Sequence, residues 1–212
     1  MTTSAVARII DKARIQLPGS LEGVLRLELF DVLKEFLQRT DAWQEDIIIP
    51  IQPNWPFYEL PPFSQSLVNR LIWLEGQPPN STPPQRGPVQ QGHLERTGAS
   101  AILKIDRPPS TQQAWCAHVA LTVIDPTDNE GLPTLPEWVV EKYHDYLGSG
   151  LIHRMAMHPG KPYSNEKLAV MNGRRFEVGT SLAKKEVRQG HVYGAQSWAF
   201  PQTFRAHSQR TW

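Results

Sequence analysis

Residues 135–187, LPEWVVEKYHDYLGSGLIHRMAMHPGKPYSNEKLAVMNGRRFEVGTSLAKKEV, read as two amphipathic helices joined by a chain reversal. In the first half Val139, Tyr143, Leu147, Leu151 and Met155 recur every four positions, which places them on one helical face that must be buried. Gly148, Ser149 and Gly150 interrupt that helix. A helical glycine costs about 1 kcal/mol against alanine, tolerable where the missing side chain lets another helix approach closely. The second half supplies such a helix. From Ser164, the expected N-cap, Ala169, Gly173, Phe176, Thr180, Ala183 and Val187 form one stripe of small residues around a single phenylalanine. Phe176 is expected to fill the notch at Gly148 and Gly150, which makes these three the candidate seam residues. Pro159, Gly160 and Pro162 cannot sit inside either helix, so the chain reverses over about five residues as an antiparallel hairpin.

The same kind of pattern opens the chain. Ala5 to Ile15 is a short candidate helix closed by Leu17-Pro18-Gly19, with a loose arm as the alternative. Ser20 is the expected cap of a longer one, in which Leu21, Val24, Leu25, Leu29, Val32, Leu33, Phe36 and Leu37 mark a face broad enough for contact on two sides. Its charged residues, Arg26, Lys34 and Arg39 with Glu22, Asp31 and Glu35, read as the solvated side.

Between these helical ends the composition changes. Proline makes up 19 of 212 residues, about 9% against a usual value of about 5%, and fifteen of the nineteen fall from Pro50 to Pro136. Ile47, Ile48, Ile49 and Ile51 are β-branched and read as a strand, with Pro50 arguing for a sheet edge or a bulge. Phe57 to Leu60 and Leu67 to Leu74 are further strand candidates. Ala101, Leu103 and Ile105 alternate with Ile102, Lys104 and Asp106, and Trp115, Ala117, Val119, Leu121 and Val123 alternate with Cys116, His118, Ala120 and Thr122. Residues 75–98, rich in Pro, Gly, Gln and Ser, read as a long irregular loop. The expected fold is therefore α+β: a helical bundle from both chain ends (residues 1–44 and 133–189), an inserted, mainly antiparallel β subdomain (45–132), and an extended C-terminal arm (190–212).

Two stretches carry a family resemblance. Leu135-Pro136-Glu137-Trp138, the glycine-containing helix with Leu151, the turn Pro159-Gly160-Lys161-Pro162-Tyr163, and Arg175-Phe176 followed by small residues form one. The other is Glu35-Phe36-Leu37-Gln38-Arg39-Thr40-Asp41-Ala42-Trp43 followed by an isoleucine run and Tyr58-Glu59-Leu60. Both resemble the head-to-tail adaptor (neck, or tail tubular) proteins of tailed bacteriophages. Leu37 stands where many relatives carry a cysteine, so nothing about thiol chemistry transfers. The resemblance implies a structural virion protein without chemistry. Twelve copies would form a ring under the portal protein, the inner surface lining the DNA channel and tail or nozzle proteins docking below. It implies residence in the neck of the virion after assembly in the host cytoplasm, with DNA only as passing cargo.

Lys and Arg number 22 against 21 Asp and Glu, so bulk charge favours neither nucleic acid nor an anionic membrane. One cysteine, Cys116, excludes an intrachain disulfide, and no segment approaches the roughly 20 apolar residues of a membrane span. No P-loop, nucleophile elbow, zincin motif or dinucleotide fingerprint is present, so neither an enzyme nor a cofactor is expected. His144, His153 and His158 are spaced by nine and five, not the three or four that would align metal ligands on one helical face, and no metal site is expected. Cys116 and His118 share a strand face, but no orienting acid is evident in the sequence and the cysteine reads as a small buried hydrophobe. Trp43, Trp55, Trp73, Trp115 and Trp138 read as core or seam residues. The alternative to the adaptor is a non-enzymatic binding module gripping a ligand through Trp55, Trp73 and nearby loops.

In residues 184–212, Lys184, Lys185, Arg188, Arg205 and Arg210 stand against the one acid Glu186, and Trp198, Phe200, Phe204 and Trp212 lie among polar residues without helical or strand period. Aromatic residues with arginine are the composition of interface anchors. As the adaptor resemblance implies, Trp198, Phe200, Phe204, Arg205, Arg210 and Trp212 are the candidate portal-interface residues, on an arm that orders on binding; the alternative is a frayed chain end.

Overall fold

The computed structural model describes residues 4–60, 66–76, 89–97, 100–124 and 137–189. The C-terminal arm and all six candidate portal-interface residues lie outside them, as does the segment 125–136 that leads back to the helices. Among the described residues, no helix is long and apolar enough to cross a membrane.

Four helices come from the two chain ends: α1 (Ala5–Gln16), α2 (Glu22–Thr40), α3 (Glu137–Ala156) and α4 (Glu166–Arg188). Ser4 caps α1, its hydroxyl accepting from Ala7 N at 3.3 Å. Ser20 does not cap α2: its hydroxyl donates back to Leu17 O at 2.8 Å, closing α1, while Gly19 turns the chain at φ +85°. The α2 N-cap is Leu21, which makes no side-chain cap bond. At the other end Asp41 adopts left-handed backbone (φ 56°), sends its N–H to Leu37 O and holds Arg70 with its carboxylate. In α4 the cap is Asn165 rather than Ser164, because its Oδ1 accepts from Leu168 N at 3.1 Å.

α3 is the hub, packing against α1, α2 and α4. The periodicity seen in its sequence is the buried face: Val139, Tyr143, Leu147, Leu151 and Met155 are all buried. The helix kinks at Tyr143 (φ −108°, ψ 15°), whose ring packs 5.1 Å from Phe36 of α2, with Phe176 of α4 on the other side of Phe36 at 6.4 Å. Glu186 is buried with its charge matched, taking the Tyr143 hydroxyl at 3.3 Å and Lys142 Nζ at 2.5 Å. The charged residues of α2 do more than face solvent. Arg154 of α3 reaches Glu28, Asp31 and Glu35, and Arg39 joins Glu35 to Glu177 of α4.

The inserted strands are wholly antiparallel and form two sheets. The first, in the order β1 (Gln44–Ile51), β7 (Gln113–Val123), β3 (Ser66–Gly76), β4 (Val89–Gln90), places the isoleucine strand at an edge, where Pro50 is tolerated. The second, β2 (Phe57–Leu60), β6 (Ser100–Ile105), β5 (Gly92–Thr97), corrects the reading of residues 75–98 as irregular: 89–97 supply both β4 and β5. β5 is too polar to announce itself, since Glu95 pairs with Lys104 and His93 with Asp106 across the ladder or at its end. Inward residues of β1, β6 and β7 join the helices in one continuous apolar core, and α2 packs on β7 as well as on α3 and α4.

The tryptophans divide. Trp43 and Trp115 are buried, as expected, but Trp55, Trp73 and Trp138 are exposed to 53%, 38% and 46%, and these three are not core residues.

Candidate interaction site

The seam between α3 and α4 interlocks ring against glycine in both directions. A Cβ on Gly150 would sit 2.8 Å from Phe176 Cδ2 and 2.7 Å from Val32 Cγ1, closer than side chains approach in folded proteins. In return, α4 yields to α3: the His153 ring lies over Gly173, its Nδ1 bonding Ala169 O at 2.8 Å, and the Tyr146 ring occupies the space a Cβ on Gly179 would need. Gly150 and Phe176 thus meet as the sequence suggests. Gly148 does not join them. It faces α1, where a Cβ would find only Ile9 Cγ2, at 3.9 Å, because two residues along a helix rotate its direction by about 200°.

The consequence is an open groove rather than a packed notch. About 640 Å³ is lined by Ile9 of α1, by Tyr146, Gly148, Ser149 and Ile152 of α3, and by Val178 and Leu182 of α4. Lys12, Arg175 and Asp145 supply charge around its mouth.

The outer side of α4 continues this surface. Val170, Met171, Val178 and Leu182 are each 45–59% exposed, and the 171, 178, 182 spacing keeps three of them on one stripe. Arg174, Arg175 and Lys185 fall on the same side of the helix by that periodicity. A reading that follows the small-residue stripe of α4 passes over this second stripe; its i, i+7, i+11 recurrence is the signal that finds it. One side of α4 is spent on the bundle and the other is apolar with a basic margin, which is the chemistry of a protein contact.

The Cys116 and His118 pair has an acid on each side. His118 Nδ1 lies 2.5 Å from Asp46 Oδ1 on β1, and its Nε2 lies 3.3 Å from Glu75 Oε2 on β3. Trp73 packs its ring 4.4 Å from the imidazole. Burial first, then the Asp46 and Glu75 charges, push the Cys116 thiol above its ordinary range, which disfavours the thiolate a nucleophile requires. His144, His153 and His158 do not converge: they bond to Glu141 O, Ala169 O and Glu28 respectively.

No family model matches the chain, and no curated protein matches it.

Proposed function

We propose that the chain is a head-to-tail adaptor of a tailed bacteriophage, a structural virion protein whose copies stand side by side in a ring under the portal. The ring would line the DNA channel and give tail or nozzle proteins their docking platform. The observation that carries this reading is the two-sided character of α4. Its inner side is locked into the bundle by Gly150, Gly173 and Gly179, while Val170, Met171, Val178 and Leu182 face outward beside an open groove. A ring of identical copies needs two unlike surfaces on each copy, because its contacts run head to tail around the circle. The α4 stripe and groove offer one, and Leu21 and Leu27, exposed on α2, offer apolar residues on a different helix. The near balance of 22 cations and 21 anions suits a channel wall past which DNA slides without strong phosphate contacts.

The test is negative-stain imaging of the chain alone and mixed with its portal protein. Rings on the portal are expected, and Val178→Glu with Leu182→Glu should abolish them while leaving the melting temperature of the chain nearly unchanged. A failure of the wild-type chain to bind its portal overturns the reading.

The alternative, a ligand-binding module, draws support from one feature. Trp55 and Phe57 form an exposed edge-to-face pair, ring centres 6.4 Å apart, and Trp73 is exposed on the other sheet. Loss of portal binding on replacing Trp55 by Ala would merge the two readings; ligand capture without portal binding would favour this one.

A further inference from the structure

Sheet register gathers five side chains from three strands. Asp46 of β1 and Trp73 of β3 both stand opposite His118 of β7, and Glu75 of β3 stands opposite Cys116. Cys116 and His118, two residues apart on one strand, point to the same face. The Cys116 thiol, an imidazole nitrogen and an Asp46 carboxylate oxygen all lie within 4.8 Å of one another. Two β-bulges in β3, between Val68 and Arg70 and between Leu71 and Trp73, set the register that brings Glu75 and Trp73 to this place.

We propose that Cys116, His118 and Asp46 bind a divalent transition-metal ion of the zinc class, with Glu75 orienting the histidine. The donor set selects that class: imidazole and a thiolate, formed as the ion displaces the Cys116 thiol proton to solvent, suit Zn²⁺, whereas Mg²⁺ and Ca²⁺ take oxygen ligands. The histidine is arranged as a ligand. Its Nδ1 faces Asp46, while Nε2 can donate its proton to Glu75, the carboxylate partner that metal-bound histidines ordinarily keep on their second nitrogen. The side chains of His118 and Glu75 are 17% and 12% exposed, and Trp73 stacks on the imidazole, so the ring is held before any ion arrives.

Metal bonds of about 2.0–2.3 Å at tetrahedral angles separate neighbouring donor atoms by about 3.3–3.8 Å, so the Asp46 carboxylate must withdraw about 1 Å from His118. Its side chain, 66% exposed, can do so by rotation alone. That same exposure leaves a fourth position open to water. The ion would fasten the edge strand β1 to the central strand β7, joining residues that are 72 apart in the chain.

The experiment uses the full chain, stripped with a chelator and titrated with Zn²⁺ by calorimetry and with Co²⁺ by absorption spectroscopy. One Co²⁺ per chain is expected, with a thiolate-to-metal charge-transfer band and the intense visible bands of a tetrahedral centre. Asp46→Asn, an isosteric change at an exposed side chain, should weaken Zn²⁺ binding at least tenfold. Glu75→Gln should weaken it by about 10–100-fold. Cys116→Ala should remove the charge-transfer band. Binding without that band, or Zn²⁺ affinity unchanged in Asp46→Asn, overturns the proposal. The outcome is independent of portal binding.

Discussion

The Phe176 ring of α4 lies where a side chain on Gly150 of α3 would have to go. Val32 of α2 closes the same space from the third side, so the position cannot be relieved by a shift of one helix alone. Gly150→Leu is therefore expected to overpack the seam and cost about 1–3 kcal/mol. Gly148, only two residues away, is the control. Its neighbour Ile9 is at ordinary contact distance, so Gly148→Ala should stabilise by about 0.5–1 kcal/mol through helix propensity and a less mobile unfolded chain. Thermal denaturation of both variants checks the pair of signs; equal midpoints would contradict the assigned directions.

Asp41 combines a backbone role with a side-chain role. It is 5% exposed, left-handed, and paired with Arg70. Asp and Asn tolerate that backbone better than most residues, and alanine there is strained by about 1–2 kcal/mol. Asp41→Asn should therefore retain more stability than Asp41→Ala, measured by urea unfolding. Equal losses in the two variants would show that the Arg70 pairing dominates, and the reverse order would contradict the backbone argument.

Glu177 supplies a pH dependence with a definite sign. The hydrogen bond from Arg39 holds its carboxyl below the ordinary range, against a smaller opposing effect of desolvation. A group depressed in the folded state stabilises above its unfolded value, and that contribution vanishes as pH falls through the folded value. The Glu177 side chain is 58% exposed, so screening limits the effect to about 0.2–1 kcal/mol. The melting difference between wild type and Glu177→Gln should be present at neutral pH and close on acidification below the ordinary glutamate range. A gap that widens with acid would be inconsistent with this.

Truncation after Gln189 separates assembly from folding. α4 ends at Arg188, and Gln189 bonds Lys185 O and Glu186 O, so a cut after Gln189 removes no described element. Melting should change little, while association with the portal should be lost along with Trp198, Phe200, Phe204, Arg205, Arg210 and Trp212. Undiminished association would remove the arm from the interface.

What the sequence made legible was whatever repeats locally. The α3 face, the stop at Pro18-Gly19, the hairpin reversal and strands β2, β6 and β7 all announce themselves within ten residues or so. Relations set by register did not. His118 meets Asp46 and Glu75 across 72 and 43 residues of chain, through a ladder containing two bulges, and no spacing rule on one strand contains that information. The failures over Ser20 and Ser164 have a simpler cause. Each hydroxyl sits one residue from the true cap, and backbone geometry, which composition does not carry, decides which neighbour is used.

The hub helix α3 is synthesised late. About a hundred residues separate the end of α2 at Thr40 from the start of α3 at Glu137, which at roughly 5–20 residues per second is a delay of about 5–20 s. Leu25, Leu29, Leu33, Phe36 and Leu37, all destined for burial, emerge from the ribosome before the helix that covers much of them has been made. Protease sensitivity of α2 in chains stalled before residue 137, and its protection in chains extended past residue 189, would expose this interval.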